Sequence, residues 1–260
     1  MMDIYFDTSL ALKYKSQSQA ARVMTEEWVK ANMFCPRCGN PRLSHFKNNR
    51  KVADFFCSEC KNEYELKSKQ GKIGHRVADG AYNTFIERIT SDSNPDFFVM
   101  SYNATAFCVE NLWMIPKHFF IPSIVEKRKP LSASARRAGW VGCNIIFDEV
   151  PEQGRISIIK NRIPVCKKAV IKRVSLSSRL ETANLESRGW LFDVLHCINQ
   201  LQKSTFSLND IYQFEYELKR RYPNNNNIRP KIRQQLQVLR DKGFLEFIDR
   251  GVYRLIELPV

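Results

Sequence analysis

The chain has 260 residues, 43% of them hydrophobic, which gives room for one large domain and one small one, each with its own core. Lys and Arg number 41 against 27 Asp and Glu, a formal charge of +14 that argues for a polyanionic partner. No apolar run reaches the ~20 residues of a membrane helix and the start of the chain has no signal-type apolar stretch, so a cytoplasmic protein without a membrane partner is expected.

Residues 16–32 carry Ala20, Ala21, Met24, Trp28 and Val29 at helical spacing, which predicts a helix with Trp28 in the core. Cys35-Pro-Arg-Cys38 follows, and Cys57-Ser-Glu-Cys60 comes after eighteen intervening residues. Two Cys-x-x-Cys pairs at this separation match a four-thiolate zinc site in which each pair forms a knuckle. Between them, residues 41–50 read as a polar, basic loop. Arg50 and Lys51 at its end are placed for phosphate contact, and His45 is not needed as a ligand once four thiolates satisfy the metal.

Residues 52–56 and 63–67 are short, apolar-rich and turn-bounded, so they read as a hairpin with the second knuckle at its tip. Alternation places Glu65 and Lys67 on one face and Leu66 on the other. A tip centred on Ser58 and Glu59 sets Asp54 opposite Glu63, on the face of Glu65 and one pair away from it. Two carboxylates and one ammonium then converge. Carboxylate oxygens suit Mg²⁺, which clamps a phosphodiester and lowers the pKa of a bound water, while Lys67 would orient the nucleophile or stabilise developing charge. An acid, a gap of ten residues and E-x-K is the pattern of PD-(D/E)xK nucleases, written here with Ala53 in place of the proline.

Further along, Val77, Ala81, Phe85, Ile86 and Ile89 predict a helix over residues 77–90, and residues 96–102 and 107–115 read as buried strands. Residues 127–143 are basic and rich in small side chains, with Lys127, Arg128, Lys129, Arg136 and Arg137, and with Trp140 between Gly139 and Gly142. An exposed indole there would stack on or wedge against a base, whereas a buried one would be core. Residues 145–147 and 155–159 give two more strands, and the basic segment 164–187 is expected to be partly helical and to hold the domain boundary. Cys108, Cys143, Cys166 and Cys197 stand singly in apolar surroundings and are expected to be buried thiols. His75 and His118 are expected to have structural or surface roles.

The last part is helical: residues 190–201, residues 208–221 behind a Ser207 cap, and residues 228–242, followed by a hairpin turning at Arg250 and Gly251. Three helices and a terminal hairpin make a winged helix whose third helix enters a major groove. On that helix Arg229, Lys231, Arg233, Gln234, Gln235, Gln237 and Arg240 offer donors to phosphates and base edges, and Arg250 is the natural contact of the wing.

The whole chain resembles the DpnI-like, methyl-directed (type IIM) restriction endonucleases. The matching stretches are N-N-R-x-V-A-D-F from Asn48, E-L-K-S-K from Glu65, D-G-A-Y from Asp79, A-R-R-A-G-W-x-G-C-N from Ala135, S-R-G-W from Ser187 and I-R-Q-Q-L-Q-x-L-R-D-K from Ile232. The resemblance implies an α/β fold with a zinc-containing PD-(D/E)xK core over residues 1–182 and a winged helix over residues 183–260. It implies Mg²⁺-dependent cleavage of double-stranded DNA at GATC carrying methylated adenine, by a monomer in the bacterial cytoplasm. It places Asp54, Glu65 and Lys67 as catalytic residues, Asp54, Glu65 and the Leu66 backbone carbonyl on magnesium, and Cys35, Cys38, Cys57 and Cys60 on structural zinc. It also puts Trp140 beside the methyl groups, and the winged helix as a second reader of the methylated site. Lys51 stands where the family has proline before V-A-D, and the segment from 164 to 185 diverges. A second class, a non-catalytic zinc and winged-helix regulator of DNA, fits the composition, the charge and both DNA-binding signals. E-x-K beside a correctly placed Asp, and Mg²⁺-dependent nicking, separate the two.

Overall fold

The computed structural model describes residues 2–46, 53–91 and 94–256; the expected phosphate contacts of Arg50 and Lys51 lie outside the described residues. In chain order the elements are α1 (Gln17–Asn32), β1 (Ser44–His45), β2 (Phe55–Phe56), β3 (Glu63–Gln70), β4 (Arg76–Ala81), α2 (Tyr82–Ile89), β5 (Asp96–Asn103), β6 (Cys108–Ile115), β7 (Val125–Lys127), β8 (Gly142–Ile146), β9 (Ile156–Lys160), β10 (Ile163–Pro164) and α3 (Lys167–Ser178). They continue with α4 (Leu185–Gln200), β11 (Thr205–Ser207), α5 (Leu208–Tyr212), α6 (Glu215–Arg221), α7 (Ile228–Asp241), β12 (Leu245–Asp249) and β13 (Val252–Leu255).

A seven-stranded sheet runs β1-β2-β3-β5-β6-β9-β10, with β3 and β5 parallel and the other neighbours antiparallel. β5 is its centre, and its apolar run is continuous because both faces are covered. Phe97 and Val99 point into a core with Phe85, Ile89 and Phe120, whereas Phe98, Met100 and Tyr102 point into a second core with Met24, Trp28 and Val29 of α1 and Val170 and Val174 of α3. Trp28 is core, as expected, and its indole N–H donates to the Asp3 carbonyl at 3.1 Å. Parallel register places Glu65 beside Phe97 and Lys67 beside Val99, so both face the first core, while Leu66 packs on the second.

Residues 77–90 are not one helix. Arg76–Ala81 is a strand that pairs with β8, Val77 with Ile145 and Asp79 with Cys143, and a bulge at Gly80 precedes the helix that starts at Tyr82. Val77 and Ala81 are four residues apart, one helical turn but also two strand repeats, and Gly80 is a poor helix former, so pairing with β8 decides. Strands β4, β8 and β7 form a separate three-stranded sheet. Cys166 also departs from expectation: it is exposed at the start of α3, outside the apolar stripe of that helix, while Cys108, Cys143 and Cys197 are buried.

The winged helix has the expected order, with the second helix broken. Phe214, at φ −86° and ψ 4°, turns the chain between α5 and α6 and packs its ring on the core. The Ser207 cap is a full capping box with Asp210, worth about 1 kcal/mol. Lys219 organises the asparagine loop by donating to the carbonyls of Pro223 and Asn225 and to Asn226 Oδ1.

One apolar core continues from the sheet into these helices: Phe119 stacks on Phe192 of α4 at 4.5 Å. Buried Asp193 accepts from Ser123 Oγ, Arg221 Nη1 and the Tyr222 hydroxyl at 3.2, 2.9 and 2.6 Å, and Arg221 also reaches Glu149. His118 is buried in the same place, Nε2 at 3.0 Å from the Ser177 carbonyl and Nδ1 without a partner among the described residues. Burial pushes its pKa down to about 4, against the pull of Asp96.

Between the ordinary value of ~6.5 and that native value the unfolded chain binds a proton that the native chain does not, so His118 lowers stability as pH falls through this window. The slope reaches about 1.4 kcal/mol per pH unit, roughly 3 kcal/mol in all. Urea midpoints measured from about pH 7 to about pH 4.5 are expected to fall less steeply in His118→Gln than in the parent; parallel slopes would show that His118 carries no such linkage.

Candidate functional site

The two cysteine pairs fold alike. In the first, Cys35 N–H donates to Asn40 O and Gly39 N–H to Cys35 O; in the second, Cys57 N–H donates to Asn62 O and Lys61 N–H to Cys57 O, all at 2.8–3.0 Å. The residue after each second cysteine takes a left-handed conformation, Gly39 at φ +80° and Lys61 at φ +61°. In the first knuckle space is tight as well, because a Cβ at Gly39 would lie 3.1 Å from the Ile171 side chain.

The four Sγ atoms lie within 4.8 Å of one another, with Cys35 to Cys60 and Cys38 to Cys57 both 3.5 Å. A tetrahedral zinc with bonds of about 2.3 Å sets sulfurs about 3.8 Å apart, so the donor set fits. Burial raises the Cys35 thiol and also opposes ionisation at Cys57, but at Cys57 the Cys60 N–H and the Asn40 amide prevail and hold the thiol down to about 6. Only a cation allows all four to be thiolates together. Tyr64 stands behind Cys35, its hydroxyl 3.0 Å from the sulfur. Buried Asp96 ties the knuckles to β5, accepting from Arg37 at 2.6 and 2.9 Å, from Asn62 at 2.7 Å and from the Lys117 N–H at 2.8 Å.

The second knuckle is indeed the tip of a hairpin, but the register differs from the expected one. Phe56, not Asp54, faces Glu63, and Phe55 faces Tyr64. The turn takes up residues 57–62, one residue later than a tip centred on Ser58 and Glu59, so every pairing shifts by two. Asp54 comes to lie along the open edge of β3, its N–H on Tyr64 O at 2.9 Å and its Oδ2 accepting the Leu66 N–H at 2.7 Å.

Lys67 Nζ lies 2.5 Å from Glu65 Oε1 and 5.6 Å from the Phe97 ring centroid, so the pair shares one face as alternation requires. Three further residues join this centre that motif reading did not identify as site residues. Asp79 Oδ1 accepts from Lys67 Nζ at 2.5 Å, Arg88 Nη2 from α2 meets Glu65 Oε2 at 2.5 Å, and Glu26 of α1 lies close enough to Asp54 to raise its pKa. Burial is the largest cause of that rise; the Leu66 N–H, Lys67 and Arg22 oppose it. For Lys67 burial works against the charged form, but Glu65 and Asp79 hold its pKa above the ordinary lysine value. Glu26 is bonded to Arg22 four residues before it on α1; in the sequence Asp79 stood only as the first residue of the matching D-G-A-Y, with no role attached, and Arg88 lay in no motif.

Trp140 is half-buried. Its ring lies against Gly142, where a Cβ would be 2.7 Å from the indole, and the Arg137 guanidinium stands 4.6 Å from its centroid. Arg136 and Arg137 are exposed on the same loop, which the Leu131 N–H to Trp140 O bond closes. On α7, Arg229, Arg233, Gln234, Gln237 and Arg240 are exposed and Lys231 is half-buried. Arg229 is paired with Glu215 at 2.8 Å and stands over Tyr212. Gln235 does not belong with them: it is 4% exposed, on the stripe with Ile228, Ile232 and Leu239 that faces the core. Arg250 is exposed at the wing turn.

No described helix is long and apolar enough to cross a membrane. A family model described as DpnI, the Dam-replacing family, matches residues 2–183, and one described as the Dam-replacing HTH domain matches residues 186–255. With a four-cysteine cluster on a mixed α/β sheet and a terminal helix-turn-helix for DNA, the chain belongs to the Dam-replacing family of DpnI-like restriction endonucleases.

Proposed function

We propose that this protein is a Mg²⁺-dependent endonuclease that cuts double-stranded DNA at GATC sites carrying methylated adenine. The observation that supports it most is that Asp54 binds the Leu66 N–H on the strand where Glu65 and Lys67 pair with each other, in a hairpin capped by the second cysteine knuckle, in a chain of this family. Asp54 and Glu65 would hold the metal. Since β2 stops at Phe55 and the N–H and C=O of a strand residue point the same way, the Leu66 carbonyl faces the edge on which Asp54 lies and serves as a third oxygen. Mg²⁺ keeps several waters and needs few protein ligands; when bound it lowers the pKa of water and offsets phosphate charge. It would also relieve the repulsion between Asp54 and Glu26. Lys67 holds its proton and would stabilise charge developing on the phosphate oxygens.

Arg136, Arg137 and the exposed side chains of α7 supply phosphate and base contacts, and Trp140 and the winged helix read the methyl group. Digestion of methylated and unmethylated copies of one plasmid in Mg²⁺ tests the reading, with cleavage of the methylated copy alone expected. Cleavage of both removes methyl direction, and cleavage of neither favours the regulator. Burying one methyl is worth about 0.8 kcal/mol, a roughly fourfold preference per contact. Trp140→Ala is therefore expected to reduce the methylated-to-unmethylated ratio of cleavage rates by about fourfold, with a smaller effect on affinity. An unchanged ratio would take methyl reading away from Trp140.

A further inference from the structure

We propose that Asp79 is a positioning residue for the Lys67 ammonium and that it couples the Trp140 loop to the reacting centre. The proposal rests on the nuclease reading above. Asp79 accepts from Lys67 Nζ at 2.5 Å and from the Gly80 N–H at 2.6 Å through the same oxygen, Oδ1. Its side chain is 4% exposed, and Oδ2 is buried without a partner among the described residues. A carboxylate so buried, with half of its acceptors unused, is poorly arranged for stability, since removal from water costs more than one ion pair returns. Its geometry suits another purpose.

Lys67 has two anions within reach, Glu65 on its own strand and Asp79 across on β4. Glu65 is also the carboxylate expected to bind metal, and both of its oxygens are held by cations, Oε1 by Lys67 and Oε2 by Arg88. Were Glu65 to bind a metal ion, its hold on Lys67 would weaken. Asp79 is then the anion that keeps the ammonium at its post beside the reacting phosphate.

The strand that carries Asp79 gives the second half of the proposal. Asp79 pairs with Cys143 and Ala81 with Gly142, and the Tyr82 N–H donates to Val141 O at 3.1 Å. Gly142 touches the Trp140 ring. Any shift of the indole on meeting a methylated base therefore passes along three residues of backbone into the pairing that places Asp79.

The test uses the full chain as parent, Asp79→Asn and Asp79→Glu. In the Asn variant the amide oxygen replaces Oδ1 and the NH₂ group falls where Oδ2 has no partner, so shape is kept and charge is lost. Single-turnover cleavage of a methylated duplex in Mg²⁺ is expected to slow by about 10²-fold, the cost of a misplaced reacting group. Affinity for the same duplex in Ca²⁺, and Tm, should stay near the parent. The methylated-to-unmethylated rate ratio should fall as well, which a purely structural residue would not cause. Asp79→Glu, which keeps the charge and moves it by one methylene, should cut at an intermediate rate and is the second measurement if the Asn variant fails to fold. Parental cleavage by Asp79→Asn, a rate loss matched by equal loss of affinity or Tm, an unchanged ratio, or a Glu variant no better than Asn would each overturn the proposal. A parent that cuts neither duplex overturns the nuclease reading instead, and this proposal with it.

Discussion

Asp54→Ala and Lys67→Ala are each expected to slow cleavage of methylated DNA by about 10³-fold or more, as loss of a metal ligand or of a charge-stabilising group does. Affinity should respond in a different way. Binding rests on Lys and Arg that neutralise phosphates, and neither residue is needed for that. Asp54 carries negative charge at an edge where Glu26 already adds more, so without metal it repels the backbone of the DNA. Asp54→Ala should therefore bind methylated duplex as tightly as the parent or tighter in the presence of a chelator, while Lys67→Ala should change little. Nicking of supercoiled methylated plasmid, followed beside gel shifts in chelator, makes both measurements. A variant that cuts at more than about one per cent of the parental rate would remove that residue from the catalytic set. The same pair of assays separates a nuclease from a regulator, because a regulator would lose nothing in the first assay.

What could be read from the residues depended on how local the signal was. Each cysteine knuckle closes within six residues, and the two C-x-x-C pairs suffice to place it. The partner of Asp54 could not be placed so well, because it depends on how many residues the knuckle consumes, and hydrogen bonds beyond Cys60, from Lys61 and to Asn62, decide that. The place of Asp79 beside Lys67 was hidden for another reason. Val77, Ala81, Phe85 and Ile89 satisfy a helical period, and only the strand from Gly142 to Ile146, more than sixty residues later, pulls the first part into a sheet. Gln235 is the reverse case: its offset of three from Ile232 and seven from Ile228 marks the core stripe of α7, and a hydrogen-bonding side chain drew it wrongly to the DNA face. The burial of β5 on both faces, by contrast, was present in the continuous apolar run of D-F-F-V-M-S-Y.

Removal of zinc, by chelation or by Cys57→Ala, is expected to lower Tm by about 10 °C and to abolish cleavage. In small zinc fingers, metal binding supplies apparent free energies of about 10–16 kcal/mol and the fold depends on it. Here the knuckles have other support, since Met33, Phe34, Leu43, Phe55 and Tyr64 pack beneath them and Asp96 latches Arg37 and Asn62 to β5. A loss of about 4 kcal/mol is then the reasonable scale, and for a chain of this size each kcal/mol moves Tm by about 2–4 °C. Activity should suffer more than stability. Asp54 is set by two bonds to β3, its N–H on Tyr64 O and its Oδ2 on the Leu66 N–H, and β2 is only two residues long, so the knuckle is the main clamp on that end of the hairpin. With the clamp open, Asp54 and Glu65 lose their common geometry even where the sheet survives. The winged helix lies on the opposite core and should keep its affinity for DNA. Metal analysis, thermal melting and cleavage on one preparation, before chelation, after it and after zinc is restored, decide the matter. Full cleavage by protein shown to contain no zinc would mean that the hairpin holds its carboxylates unaided.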